Sequence, residues 1–171
     1  MAVSYVDKPK LIVFDLDYTL WPFWVDTHVS PPFELRKDKV YDSLGDHVKH
    51  YPEVPEVLQS LQNEGYKLGV ASRTCAIKSA KQLMDLFNWS KYFEFSEIYP
   101  GEKTIHFSQF QKHSNIPYED MLFFDDEGRN VTAVGNIGVT AIHVHKGTGV
   151  TKEVMKEGLK KFAENKKKAA S

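Results

Sequence analysis

Four short apolar runs punctuate the chain: Leu11-Ile12-Val13-Phe14, Lys67 to Ala71, Met121 to Phe124 and Thr140 to Val144. Runs of this length, ended by charge or by turn residues, read as buried strands. Between them apolar side chains recur at helical spacing. Val57, Leu58 and Leu61 form one set with Gly65 as a stop, Ile77, Ala80, Met84 and Phe87 form a second, and a weaker set follows Lys103. Strand alternating with helix predicts a parallel sheet covered on both faces and joined by right-handed crossovers, because each helix must bury its apolar stripe against the sheet. The expected fold is therefore a doubly wound, Rossmann-like α/β domain spanning 1–171. Ligands in such a fold bind beyond the carboxyl ends of the strands, where helix N-termini also converge.

The pattern breaks between Trp21 and Tyr51, where Pro22, Pro31, Pro32 and Gly45 interrupt charged and aromatic residues. About thirty residues suffice for a β-hairpin flap but not for an independent cap domain. An open site with a flap at about 21–51 is expected. From Thr151 onward, Met155, Leu159 and Phe162 fall at helical spacing before Lys166-Lys167-Lys168. This predicts a docked helix at about 151–166 with a frayed basic tail.

Composition narrows the function classes. Lys plus Arg total 22 against 23 for Asp plus Glu, so no basic field exists to hold a nucleic-acid backbone. No run approaches the roughly 18 apolar residues of a membrane span, and MAVSYVDKPK lacks the apolar core of a signal peptide. Cys75 is the single cysteine and cannot form an internal disulfide. A cytoplasmic monomer without nucleic-acid or membrane partners is expected.

The strand Leu11 to Phe14 runs directly into Asp15-Leu16-Asp17-Tyr18-Thr19, placing two carboxylates at the sheet's carboxyl edge. Paired carboxylates repel, so they persist where a cation neutralises them or one of them holds a proton. Alone, the pair reads better as a turn with a helix cap. Its companions change that: Ser72-Arg73-Thr74 follows the second strand, Lys103 stands near a helix start, and Asp125-Asp126 follows the strand Met121 to Phe124. The sheet edge brings all of them to one pocket. Clustered carboxylate oxygens suit Mg²⁺, while hydroxyl and lysine suit a phosphate.

These motifs, together with VFDLDYTLWPFWVDTHV, YPEVPEVL, ASRT, EIYPGEKTIHF and FFDDEGRN, closely resemble the haloacid dehalogenase (HAD) superfamily of phosphatases, and within it the magnesium-dependent phosphatase 1 group. The resemblance implies a HAD-type sheet without a large cap and a Mg²⁺-dependent phosphomonoesterase. Asp15 would be the nucleophile that becomes an aspartyl-phosphate, and Asp17 the general acid and base. The Leu16 backbone, Ser72, Arg73 and Lys103 would hold phosphate. An Asp15 oxygen, the Asp17 carbonyl and Asp126 would bind Mg²⁺, with Asp125 close behind or water-linked. Substrates implied are phosphotyrosyl protein and sugar phosphates such as fructosamine 6-phosphates. Many relatives have an acid four residues beyond the metal-binding Asp, where this chain has Asn130. Neighbouring carboxylates are expected to raise the pKa of Asp17 from an ordinary value of about 3.9.

Other features carry less. A cysteine-dependent phosphatase would need an arginine six residues after Cys75, where Lys81 stands. His143 and His145 share a strand face but lack further ligands at matching spacing. Trp21, Phe23 and Trp24 serve either to cement the flap or to offer a stacking wall. The rival from another class is a receiver-like phospho-acceptor domain, which also joins an acidic pocket, Mg²⁺, Thr and Lys on a parallel sheet. A phosphotransferase would keep the intermediate and change only the acceptor.

Overall fold

The computed structural model describes residues 7–171. Five parallel strands form the central sheet in the order β6-β5-β1-β7-β8. These are β1 (Leu11–Phe14), β5 (Leu68–Ser72), β6 (Phe93–Ile98), β7 (Met121–Asp125) and β8 (Thr140–His143). Five helices pack around them: α1 (Val54–Asn63), α2 (Ile77–Leu86), α3 (Lys103–Ser114), α4 (Gly128–Asn136) and α5 (Lys152–Ala170). Every residue of β1, β5 and β7 is buried, which is why each reads as an unbroken run.

Alternate side chains of the central strands feed two separate cores. Ile12, Phe14, Leu122 and Phe124 point into a core shared with α1, α2 and α5, while Leu11, Val13, Met121 and Phe123 face Phe107 and Phe110 of α3 and Val134 of α4. Strand order runs outward one way from β1 through β5 to β6, then jumps back to β7 on the other side of β1. The carboxyl ends of β1, β5 and β7 thus meet at the switch point, the place such sheets bind ligands.

Two elements were not expected. The edge strand β6 pairs only with β5 and alternates in exposure along Phe-Glu-Phe-Ser-Glu-Ile, so it shows no continuous apolar run. Helix α4 is short and buries only Asn130 and Val134. The flap is a three-stranded antiparallel sheet, β2 (Glu34–Arg36), β3 (Lys39–Tyr41) and β4 (His47–Val48), where a hairpin was expected. It is tied down: the Phe33 N–H donates to Gln82 Oε1 at 3.0 Å, and Gln82 Nε2 donates back to the Phe33 carbonyl at 3.2 Å. Asp42 accepts from the N–H groups of Ser30, Leu44 and Asp46, holding the turn between β3 and β4. Helix α5 runs on through the basic segment, where Lys166 pairs with Asp120 and Asn165 Nδ2 donates to Thr140 Oγ1 at 2.9 Å. Among the described residues no helix is long and apolar enough to cross a membrane.

Helix α5 comes close enough to the sheet that a Cβ at Gly158 would lie 2.4 Å from the Phe124 ring, whereas one at Gly135 in α4 would meet nothing within 4 Å. Helix propensity favours alanine at both places by about 0.5–1 kcal/mol, but overpacking costs about 1–3 kcal/mol. Gly135→Ala should raise the urea midpoint and Gly158→Ala should lower it. Two shifts of the same sign would refute this packing account.

Candidate active site

The site starts where β1 ends. The Asp15 N–H donates to the Phe124 carbonyl at 3.0 Å, pinning the end of β1 beside the end of β7. The Leu16 carbonyl then accepts from the N–H groups of Thr19 and Leu20 at 3.0 and 2.9 Å, folding the next residues into a tight turn. Tyr18 completes it with φ of 56°, the left-handed region that a bulky residue enters only when its surroundings compel it. That turn sends the Asp17 carboxylate back toward the pocket, where its Oδ1 accepts from Trp21 Nε1 at 2.8 Å and the Val25 N–H at 3.1 Å.

Lys103 is the hub. Its buried Nζ donates to Asp15 Oδ1 at 3.0 Å, Asp125 Oδ2 at 3.0 Å and the Ala71 carbonyl at 2.8 Å. An ammonium has three N–H bonds, and all three are used. Burial alone would lower the Lys103 pKa, but the Asp15 and Asp125 carboxylates outweigh it and hold the group above its ordinary 10.5. The other Asp15 oxygen accepts from Thr19 Oγ1 at 3.2 Å. One turn further along α3, the fully buried His106 sets Nε2 2.9 Å from the carbonyls of both Ser72 and Tyr99, fastening α3 to the end of β5 and the loop after β6.

Carboxylate oxygens of Asp15, Asp125 and Asp126 lie within 4.8 Å of one another. They are not equivalent. Asp125 has its oxygens taken by Lys103, by Asn130 Nδ2 at 3.1 Å and by the Glu127 N–H at 2.9 Å, whereas Asp126 meets the Asp15 carboxyl and has Lys146 Nζ at 3.8 Å. Burial, then the charge of Asp125, pushes the Asp15 pKa well above its ordinary 3.8, with Lys103 offsetting only part. Asp126 is also raised, chiefly by burial. Asp17 is raised to about 6, again chiefly by burial, while its bonds from Trp21 and Val25 pull the other way. Neighbouring carboxylates, Asp26 and Asp126, are the minor cause and not the main one the sequence suggested.

The opposite wall is built to meet an anion. Ser72 Oγ accepts from the Thr74 N–H at 3.2 Å and Thr74 Oγ1 accepts from the Ala76 N–H at 3.1 Å, which leaves both hydroxyl hydrogens to donate. Arg73 Nη1 lies 3.4 Å from Asn130 Oδ1, so Asn130 bridges Arg73 and Asp125 through its two amide atoms. The cleft holds about 220 Å³ and is lined by Asp15, Asp17, Ser72, Arg73, Lys103 and Asp126, with Trp24 at its side.

The structure thus brings Asp15, Asp17, Ser72, Arg73, Lys103 and Asp126 together, with Asp125 behind them. It divides the aromatic trio: Trp21 is buried and stacks on Phe23 and Trp89, whereas Trp24 is exposed and lines the cleft. His143 and His145 join no metal-binding group among the described residues. Cys75 is exposed beside Asp26, outside the polar cluster. The sequence brought Thr74 to this edge without giving it a role, and His106 and Lys146 were missed. Thr74 stood two residues beyond Ser72 on the same turn; Lys146, just past β8, was within reach of the same sheet-edge rule.

The family model for acid phosphatases matches residues 7–165. The chain is 52% identical over 156 residues to magnesium-dependent phosphatase 1 of Homo sapiens, covering 91% of this chain and 88% of that protein. It is 41% identical over 150 residues to a HAD-like hydrolase superfamily protein of Schizosaccharomyces pombe, covering 81% of this chain and 87% of that one. Among solved structures, the N-terminal part of a Bacteroides fragilis protein containing a phosphatase domain, complexed with Mg, has the same fold with a TM-score of 0.64 at 18% identity; the match covers 88% of this chain and 40% of that one.

A carboxylate whose pKa is higher folded than unfolded binds protons preferentially in the fold, so its stabilising contribution is present at low pH and disappears as pH rises through the folded value. For Asp17 that window runs from 3.8 to about 6, a gap that caps the effect at about 3 kcal/mol. Asn keeps the acceptor oxygen and removes the charge. In EDTA, Asp17→Asn should match wild type in unfolding free energy near pH 4 and exceed it by about 1–3 kcal/mol at pH 8. A difference that does not grow with pH would contradict the burial of this carboxylate.

Proposed function

The chain belongs to the acid phosphatase family, within the HAD group that contains magnesium-dependent phosphatase 1, and from that premise we propose that it is a single-domain, Mg²⁺-dependent phosphomonoesterase working through an aspartyl-phosphate on Asp15. One observation carries the reading: two residues from Asp15, at the same strand end, stands Asp17 with a pKa of about 6 and a carboxyl aimed into the cleft. A group poised there exchanges protons near neutral pH.

Asp15 attacks phosphorus while Asp17 delivers its proton to the departing ester oxygen, so one P–O bond forms as another breaks. Asp17, now ionised, takes a proton from water as that water attacks phosphorus, and the Asp15 carboxylate is released with inorganic phosphate. Arg73, the Ser72 hydroxyl and the Leu16 backbone amide bind the phosphoryl oxygens. Lys103 has no N–H to spare, so its part is to balance the charge of Asp15 and fix the attacking carboxylate. Asp15, Asp126 and the Asp17 carbonyl would hold Mg²⁺, whereas the saturated donors around Asp125 make it a support for Lys103. When bound, Mg²⁺ supplies neutralisation and orientation of the phosphoryl group. The open cleft and the exposed Trp24 suit phosphotyrosyl protein and sugar phosphates, such as fructosamine 6-phosphates, met by a monomer in the cytoplasm. A receiver-like acceptor has no use for a proton donor two residues beyond the phosphorylated aspartate, and Asp17 therefore favours hydrolysis.

With Mg²⁺ present, wild type should turn over p-nitrophenyl phosphate, and either EDTA or Asp15→Asn should abolish turnover. Asp17→Asn should lower kcat about 10²- to 10⁴-fold and accumulate hydroxylamine-labile phosphate on the protein. Undiminished turnover by Asp15→Asn would overturn the mechanism.

A further inference from the structure

Lys146 is a cation set beside the cleft that the proposed reaction does not use. Its side chain is about half exposed, and its Nζ stands 4.8 Å from the Tyr18 ring centroid, 5.8 Å from the Trp24 ring centroid and 3.8 Å from Asp126 Oδ2. The last distance is long for a hydrogen bond, so the ammonium is attracted to Asp126 without being consumed by it. Lys103, by contrast, has every N–H committed. Besides Arg73 on the inner wall, Lys146 is a cation at this mouth able to receive a new anion.

Its backbone is held firmly. The Val144 N–H donates to the Asp125 carbonyl at 2.8 Å and the Val150 N–H to the Thr19 carbonyl at 2.9 Å, tying both ends of the loop to the turns that carry the site. Between those ties Tyr51 Oη donates to the Lys146 carbonyl at 2.5 Å. Gly149, at φ +60°, lies so close over the Tyr51 ring that a Cβ there would be 2.1 Å from it. Lys146 therefore leaves a fixed backbone and lies over an aromatic ledge. Trp24 and Tyr18 meet edge to face at 5.8 Å, and His28 stacks on Trp24 at 5.2 Å.

We propose that Lys146 is a specificity-determining residue that binds a carboxylate on the leaving group of the substrate, favouring phosphomonoesters whose flat body lies on Trp24 and whose far end is anionic. The proposal rests on the phosphatase reading above. Arg73 and the hydroxyls of Ser72 and Thr74 take the scissile phosphate on the inner wall, the ledge takes the body of the leaving group, and Lys146 takes its second charge.

The test compares 3-carboxyphenyl phosphate with its neutral counterpart 3-carbamoylphenyl phosphate, each with Mg²⁺, on wild type, Lys146→Gln and Lys146→Arg. Taking the ratio of kcat/KM for the two esters, and then comparing enzymes, cancels the intrinsic difference between the leaving groups. The carboxylate-to-amide ratio should fall about three- to tenfold in Lys146→Gln, carried by KM, be retained in Lys146→Arg, and shrink in wild type as salt is raised. A ratio unchanged by Lys146→Gln, even with both rates lowered, would mean that Lys146 acts only on Asp126 or on the loop and would overturn the proposal. Failure of wild type to turn over either ester would instead overturn the phosphatase reading, and this inference with it.

Discussion

One buried ammonium holds the site together. Lys103 reaches from the first residue of α3 to Asp15 at the end of β1, Asp125 at the end of β7 and the Ala71 carbonyl of β5, so a single side chain joins three adjacent strands where their order reverses. Burying a lysine is unfavourable unless every N–H finds an acceptor and the charge finds a partner. Both conditions are met, and the two carboxylates that meet them could not themselves be buried so close without the lysine. Asp15, Asp125 and Asp126 are one electrostatic unit around it.

The rest of the site follows from how that unit is supported. Asp125 is saturated by Lys103, Asn130 and the Glu127 N–H, so it is fixed and serves as counter-charge. Asp126 and Asp15 keep raised pKa values chiefly because they are buried, and next because Asp125 stands beside them, and the clustered carboxylates suit a divalent cation. His106 and Asn130 extend the frame outward, one anchoring the Ser72 carbonyl and the other the Arg73 guanidinium. The flap, clamped to α2 through Gln82, sets the aromatic ledge at the mouth without closing it.

Much of this was legible in the sequence for a physical reason. Strands buried on both faces write continuous apolar runs, and so β1, β5 and β7 stand out within a residue or so of their ends. The carboxyl-edge rule then gathers Asp15, Asp17, Ser72, Arg73, Lys103 and Asp126 without any knowledge of side-chain geometry. Edge strand β6 was hidden because its exposure alternates and only Ile98 is buried, and α4 because it is short and offers few apolar residues. What pattern cannot encode is who bonds to whom. That Lys103 spends all its protons inside the protein, that burial more than its neighbours raises Asp17, and that Trp21 packs while Trp24 faces the cleft are properties of distances.

The central claim is that Lys103 stabilises the fold by compensating Asp15 and Asp125. Unfolding free energies of Lys103→Met and wild type, measured in EDTA from pH 5 to pH 8, test it most directly. Met keeps the length and loses the charge, leaving two buried carboxylates unpaired, so the deficit should reach about 3–5 kcal/mol at pH 8 and shrink toward pH 5 as Asp15 takes up a proton. A deficit under about 1 kcal/mol that is flat across that range would contradict the account.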